Sequence, residues 1–240
     1  MVLAILTAWI ALLLAAQWRW PAVISAVDSW PRWFRNLALG LIALIAAPLA
    51  LWVFEQSSAQ VPPLFTAPIW LQLIALDLWT YGMHRAYHRV PMLWRFHVPH
   101  HLDEHLDVTS AFRFHAGEIL ISGIARIVPA LLLGIDVQTL IVFEAILLAS
   151  AAFHHSNIKL PHRVERVLAW VIVTPSIHWV HHHNIRADTD ANYAAILSVW
   201  DIAFGSKSKT KRWPDMPIGC EGAPEATMAR LLMRPFVSPP

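Results

Sequence analysis

Histidine is the residue type in this chain whose number and spacing could do chemistry. Fourteen occur among 240 residues, and most fall in three places. His84 and His88 are four apart, so they share one face of a helix that carries them. His97, His100 and His101 follow an i, i+3, i+4 pattern, and His178, His181 and His182 repeat it. A neutral imidazole offers one lone pair, and a metal ion is the partner that uses several lone pairs converging on one point. These histidines supply more nitrogens than one ion accepts, whereas two ions with about four ligands each account for them. The only cysteine is Cys220. That excludes an intramolecular disulfide and a cysteine-based zinc or iron–sulfur site. Ligation by histidine alone points to iron, zinc, copper, nickel or manganese.

Other residues could complete such a site. His154 and His155 follow an apolar segment, and one of them, His155 by preference, is a candidate ninth ligand. His105, His115, His162 and His183 read as surface residues or as neighbours of the ligands. Asp77 lies seven residues before His84 on the same helical face. An acid in an apolar segment is costly and is by default functional. It could accept the second N–H of a ligand imidazole, or it could pair with Arg85 or Arg113. Asp190, Asn192 and Asp201 are candidates for similar work. Pro99 biases Val98 away from helix, which places His97 just before a helix starting at Pro99. Thr174-Pro175 has the form of an N-cap with proline at the first helical position, and would start the helix carrying His178 to His182.

The elements that must position these residues are membrane helices. The chain is 57% hydrophobic and 14% charged, with a mean hydropathy of +0.48, beyond what water-soluble domains carry. Val2–Ala16 is apolar with no Lys or Arg before it, so it reads as a membrane helix rather than a cleaved signal peptide. Leu37–Val53, Pro68–Met83, Ile119–Leu133 and Val137–Phe153 are further apolar runs. The last two carry Arg126 and Glu144 and form a hairpin about the turn Gly134-Ile135-Asp136. Each run is shorter than the roughly 20 residues a spanning helix needs, so polar ends must extend some of them. Val167–Val173 is too short to span and is expected against the membrane surface. Pro214–Pro240 is rich in proline and reads as a loose tail. All eighteen basic residues except Arg126 fall in the connectors 17–36, 84–118 and 154–240. The positive-inside rule then places these connectors, and every histidine cluster, on the cytoplasmic side. No basic stripe suggests nucleic acid. The expected fold is all-α: an integral-membrane, multi-pass bundle of four to five apolar helices in hairpins, capped by a cytosolic histidine-rich helical region. The expected domains are N-terminal membrane helices over 1–83, a histidine-box region over 84–205 that includes the hairpin 119–153, and a tail over 206–240.

The ordered motifs resemble one family. D-x6-H-R-x2-H begins at Asp77, L-W-R-F-H-x2-H-H at Leu93 and L-D-V-T-S-A-F-R-F-H at Leu106. H-x-N begins at His155, T-P-x2-H-x2-H-H at Thr174 and N-Y-x6-W-D-x2-F-G at Asn192. This set is similar to that of the fatty acid hydroxylase superfamily, the group of sterol desaturases, sterol methyl oxidases and lipid hydroxylases. The resemblance implies a membrane enzyme with two iron ions on the cytosolic side, using O2 and electrons to hydroxylate or desaturate a lipid C–H bond. It implies His84, His88, His97, His100, His101, His155, His178, His181 and His182 as metal ligands. Some members carry a further histidine four residues before the intervening one. That position is Ala151 here, so nine ligands are expected rather than ten. Pro99 within the second motif is less usual in the family.

The substrate implied is a sterol, a fatty acyl chain or a related lipid. Because no flavin, haem or iron–sulfur motif is present, an external ferredoxin, rubredoxin or cytochrome is expected to deliver electrons. Phe96, Phe112 and Trp179 beside the motifs could shape a channel for an alkyl chain. The alternative reading is a metal-ion transporter with a histidine-lined path. Transporter ligands belong near the bilayer midplane within apolar segments, whereas these fall in polar connectors. A b-type haem carrier needs only two axial histidines.

Overall fold

The computed structural model describes residues 2–24, 29–223 and 225–237. Residues 25–28 of the first connector and the last three of the tail lie outside the described residues. The described residues are mostly helical, with isolated β-bridges and no strand. The helices in order are α1 (Val2–Arg19), α2 (Ser29–Gln60), α3 (Ile69–Arg89), α4 (Pro91–His101), α5 (Ala116–Ala125), α6 (Ile127–Leu133), α7 (Val137–His155), α8 (His162–Leu168), α9 (Pro175–His181), α10 (Arg186–Thr189), α11 (Val199–Ala203) and α12 (Met228–Met233). Single 3-10 turns cover Val108–Phe112 and Arg234–Phe236.

Among the described residues, four segments are long and apolar enough to cross a membrane: α1, α2 from Trp30, the pair α5–α6, and α7. Their outer faces carry exposed Leu12, Leu41, Leu44, Ile45, Leu49 and Trp52. Apolar side chains in such rows fit lipid and would be a liability in water. The third apolar run is helical as α3, but Asp77 and the histidines that follow keep it from being a fifth such segment.

Three elements differ from the sequence expectations. The second helix starts at Ser29 rather than Leu37 and runs for 32 residues, about 48 Å. Two polar residues of its first turns, Arg32 and Asn36, are buried in protein. The Arg32 guanidinium reaches Asp103 at 3.1 Å, the carbonyl of His105 at 2.9 Å, and Asp107. Asn36 bridges to Asp103 and Thr109 at 3.0 Å each. α4 begins at Pro91, and Pro99 lies inside its last turn instead of starting a helix. So late in the helix, the missing N–H removes a single backbone bond. The proline-rich C-terminal segment is packed rather than loose. Leu231 is buried with Leu39, Val98 and Leu102, and Glu225 bonds the buried Arg113 at 2.7 Å.

Local sequence explains the corners. Val90 precedes Pro91 and takes the extended conformation that a following proline favours, φ −100° and ψ 113°. One residue therefore turns α3 into α4 and sets the two histidine-bearing helices against each other. Asp136 caps α7 by accepting the Thr139 amide at 2.7 Å. Gly134 ends α6 in the left-handed region at φ 69°. α2 and α5 meet at Gly123, where a Cβ would stand 2.6 Å from that of Ala50, so only glycine admits this approach. Phe54, Leu76, Ala130, Ile135, Leu140 and Phe143 form the core between α2, α3, α6 and α7. Arg126, at the break between α5 and α6, forms an ion pair with Glu144 of α7 at 3.0 Å. These two membrane charges thus find each other.

Candidate metal centre

Four helices end at one place. His84 and His88 lie in the last two turns of α3. His97, His100 and His101 occupy the end of α4, and His155 is the final residue of α7. His178 and His181 end α9, with His182 as its C-cap. The C-terminus of a helix carries partial negative charge, so each arrives with a field that favours a cation. Pro175 starts α9 as its first residue, but the Thr174 side chain makes no cap bond.

The nine histidines form two groups. His84, His88, His97, His101 and His181 make one, and His100, His155, His178 and His182 the other. Within each group one ring nitrogen per residue lies within 4.8 Å of all the others. Neighbouring Nε2 atoms are closer still. In the first group the separations are 3.2 Å for His84–His97, 3.1 Å for His97–His101 and 3.1 Å for His84–His181. In the second they are 3.1 Å for His100–His155, 2.9 Å for His155–His178 and 3.1 Å for His178–His182. Two nitrogens bound at right angles to an ion, each 2.0–2.1 Å from it, stand about 3 Å apart.

The second nitrogens decide what these contacts are. Nδ1 of His84 donates to the carbonyl of Tyr193 at 2.7 Å, and that of His181 to the carbonyl of Ala191 at 2.7 Å. Nδ1 of His100 donates to Arg113 O at 3.1 Å, and that of His155 to Ala151 O at 2.8 Å. Nδ1 of His97 meets the Glu118 carboxylate at 2.8 Å. Carbonyl oxygens only accept, so the neutral rings of His84, His100, His155 and His181 each carry the proton on Nδ1 and a lone pair on Nε2. The pairs His84–His181 and His100–His155 then point lone pair at lone pair, an arrangement that requires a cation between them. A proton is a poor candidate for that cation. Burial pushes His84, also disfavoured by neighbouring His97, down to about 3, and burial pushes His97 to about 3. His88 is buried without a hydrogen-bond partner for either nitrogen among the described residues, its Nδ1 3.6 Å from the Asp190 carboxylate. The donor set therefore fits two metal ions, one in each group.

The other residues singled out in the sequence sit further out. Asp77 holds no imidazole and pairs with neither arginine: it accepts Trp200 Nε1 at 2.7 Å and the Leu197 amide at 3.1 Å. Asp201 accepts the Tyr193 and Ala194 amides at 2.8 and 3.0 Å, so it fixes the peptide whose carbonyl holds His84. Asn192 has φ 54°. It separates the two carbonyls that hold His181 and His84, and its side chain ties to Ile177 O and the Ser208 amide at 3.1 and 2.9 Å. His115 caps α5 through Gly117 N at 3.0 Å, and His183 pairs with Asp188 at 2.7 Å. His105 packs on Trp179 and His162 is exposed at the start of α8. None of these four joins either group. Trp179 is fully buried, with the Arg212 guanidinium 3.7 Å above its ring.

Sequence reasoning passed over Glu118 and two backbone carbonyls, and it ranked His154 behind His155 as a ligand. Glu118, which orients His97, stands 21 positions away with no motif linking them. His154 stacks on His178 with ring centroids 4.0 Å apart. The backbone carbonyls of Ala191 and Tyr193 have no side-chain signature.

Comparison with known proteins adds a family. The model described as fatty acid hydroxylase matches residues 69–206. Ornithine lipid hydroxylase OlsE of Rhizobium tropici is 28% identical over 166 residues, 69% of this chain and 49% of that protein. Alkylglycerol monooxygenase of Danio rerio is 29% identical over 142 residues, 57% of this chain and 30% of that protein. The Homo sapiens alkylglycerol monooxygenase is 26% identical over 138 residues, 55% of this chain and 29% of that protein. The chain spans about half the length, or less, of these curated relatives. No solved structure matches it.

Proposed function

The chain belongs to the fatty acid hydroxylase family, and on that premise we propose that it is an integral-membrane oxygenase acting on a lipid C–H bond. In this reading two iron ions are held by the five and four imidazoles of the two groups. O2 is the co-substrate, and electrons come from a separate ferredoxin, rubredoxin or cytochrome. The relatives named for hydroxylation of ornithine lipid and oxygenation of alkylglycerol support a lipid substrate. The basic connectors support a cytoplasmic location of the cage. The histidine-box region 84–205 is then the catalytic unit, with 1–83 as its membrane anchor and 206–240 as a packed brace.

When bound, the iron pair supplies the redox chemistry that activates O2 toward a C–H bond no general base could ionise. The chain's own residues do the rest. Nδ1 bonds to the carbonyls of Tyr193, Ala191, Arg113 and Ala151 keep the ligand lone pairs aimed inward. Glu118 does the same for His97. Burial of the ligand rings, complete for all but the half-buried His84, limits bulk water around them. The apolar helices beside the cage admit a lipid and hold it at the level of the helix ends.

The observation that carries this reading is the facing of Nε2 lone pairs whose Nδ1 protons are already committed. The test is metal analysis of protein purified in detergent, together with mass spectrometry of the lipids of expressing cells. About two irons per chain are expected, with both lost in His84→Ala/His88→Ala/His178→Ala, which leaves three nitrogens in each group. A lipid gaining one oxygen atom indicates hydroxylation, and one losing two hydrogens indicates desaturation. Zinc alone from iron-replete cells, with an unchanged lipid profile, would defeat the proposal.

A further inference from the structure

A cavity of about 360 Å³ lies behind the first histidine group, where α3 ends. Arg85, Arg89, Lys207 and Lys209 line it, together with the Tyr193 and Thr210 side chains. Two acids also line it, but both are committed elsewhere. Asp188 accepts His183 Nδ1 and Ser208 Oγ at 2.7 Å each, and Asp190 accepts Arg186 Nε at 3.0 Å. Among the described residues no carboxylate forms an ion pair with any of the four lining cations. The cavity is therefore an anion site by charge, and its size is that of a small-molecule pocket.

Its rim says where the anion comes from. Trp70, Ile74 and Leu78 form an exposed apolar stripe along α3. Helical spacing puts Arg85 and Arg89 on that same face, further along. Trp170, Ile202 and Phe204 are exposed beside it. Phe204 stacks on Tyr81 at 5.2 Å, and the Tyr81 hydroxyl contacts Arg85 at 3.2 Å and Ser206 at 2.9 Å. The Lys207 ammonium lies 5.3 Å over the Trp170 ring. An apolar, aromatic surface bordered by Lys and Arg is how a protein meets the headgroup layer of a bilayer.

We propose that this cavity binds the anionic, phosphate-type headgroup of a bilayer lipid whose chains lie along the α3 stripe. A soluble anion would make no use of the apolar rim. An acidic protein would cover the exposed lysines Lys207, Lys209 and Lys211 rather than enter a cavity of this size. The site stands independently of the reaction proposed above, because it uses none of the nine imidazoles.

The experiment titrates the full chain, purified in neutral detergent, with three probes: dioctanoyl phosphatidate, dioctanoylglycerol and inorganic phosphate. The melting temperature is read by tryptophan fluorescence. Phosphatidate should raise it saturably, dioctanoylglycerol should leave it unchanged, and phosphate should act only at much higher concentration. Arg89→Gln/Lys209→Gln should weaken the phosphatidate response at least about tenfold, while Arg163→Gln on exposed α8 should not. If the double variant melts early without ligand, Lys209→Gln alone serves, since that side chain is exposed. An equal response to dioctanoylglycerol, or a response unchanged in the variants, would overturn the site. Phosphate acting as strongly as phosphatidate would overturn its lipid source. An acidic redox protein that binds only the unmutated chain, with no lipid response, would replace the lipid with a protein partner and overturn the proposal.

Discussion

The rings of His101 and His182 lie stacked, 4.3 Å between centroids and 19° between planes, although the first belongs to the five-nitrogen group and the second to the four-nitrogen group. The two groups are thus in direct contact yet unequal in size. Inequality of this kind has a measurable consequence. His181→Ala leaves its group with four nitrogens, a complete set for one ion, whereas His182→Ala leaves three. After passage over a chelating resin, His181→Ala should retain about two irons per chain and His182→Ala about one. Equal losses in the two variants would show that the groups do not bind separately.

Glu118 acts on metal only through His97. Removing a carboxylate that orients a ligand imidazole costs about 10–100-fold in metal affinity. Glu118→Ala should therefore release iron to a competing chelator more readily by a factor in that range. Glu118→Gln keeps an oxygen acceptor for Nδ1 and should fall between the two. Competition with a chromogenic chelator measures all three proteins, and an unchanged affinity in the alanine variant would remove Glu118 from the centre.

Asn192 shapes the peptide that holds both His84 and His181. Its left-handed backbone costs a β-branched residue roughly 1–2 kcal/mol, and costs glycine nothing. Asn192→Val should lower the melting temperature and loosen iron in the first group. Asn192→Gly should keep the carbonyls in place and retain iron, losing only the side-chain bonds to Ile177 and Ser208. Iron content and melting curves of the two variants make the comparison; equal behaviour would mean that the side chain, rather than the backbone, is what counts.

Acid should destabilise the metal-free protein. Burial holds the folded His84 and His97 pKa values at about 3, against an ordinary value of 6.5. Between those values the unfolded chain binds protons that the folded chain refuses, so stability falls as pH drops through 6.5 and levels off only near 3. The melting temperature of the iron-free protein should be lower at about pH 5 than at about pH 7.5. A flat profile over that interval would show that water reaches the cage.

Much of this was legible in the sequence, and the reasons differ by element. The i, i+4 pairs of histidine sit on helices because helical spacing is a local property. The apolar runs read as membrane helices because lipid selects composition. The early start of α2 was hidden because Arg32 looks like a connector residue until Asp103, 71 positions away, is brought against it. Pro99 suggested a helix start because its place in the last turn of α4 depends on Pro91 having already begun one. Glu118 was invisible for the same reason as Asp103: its partner is fixed by tertiary packing. Asn192 was noticed for its position, but its part is played by the backbone, which sequence patterns do not record.

The dipeptides His100-His101 and His181-His182 each send one ring to either group. Adjacent residues cannot drift apart, so the peptide chain itself acts as a ruler between the two centres at two separate points. Inserting or deleting one residue at either point would misplace both centres at once. Any motion of the end of α4 or of α9 must likewise move the pair as a unit.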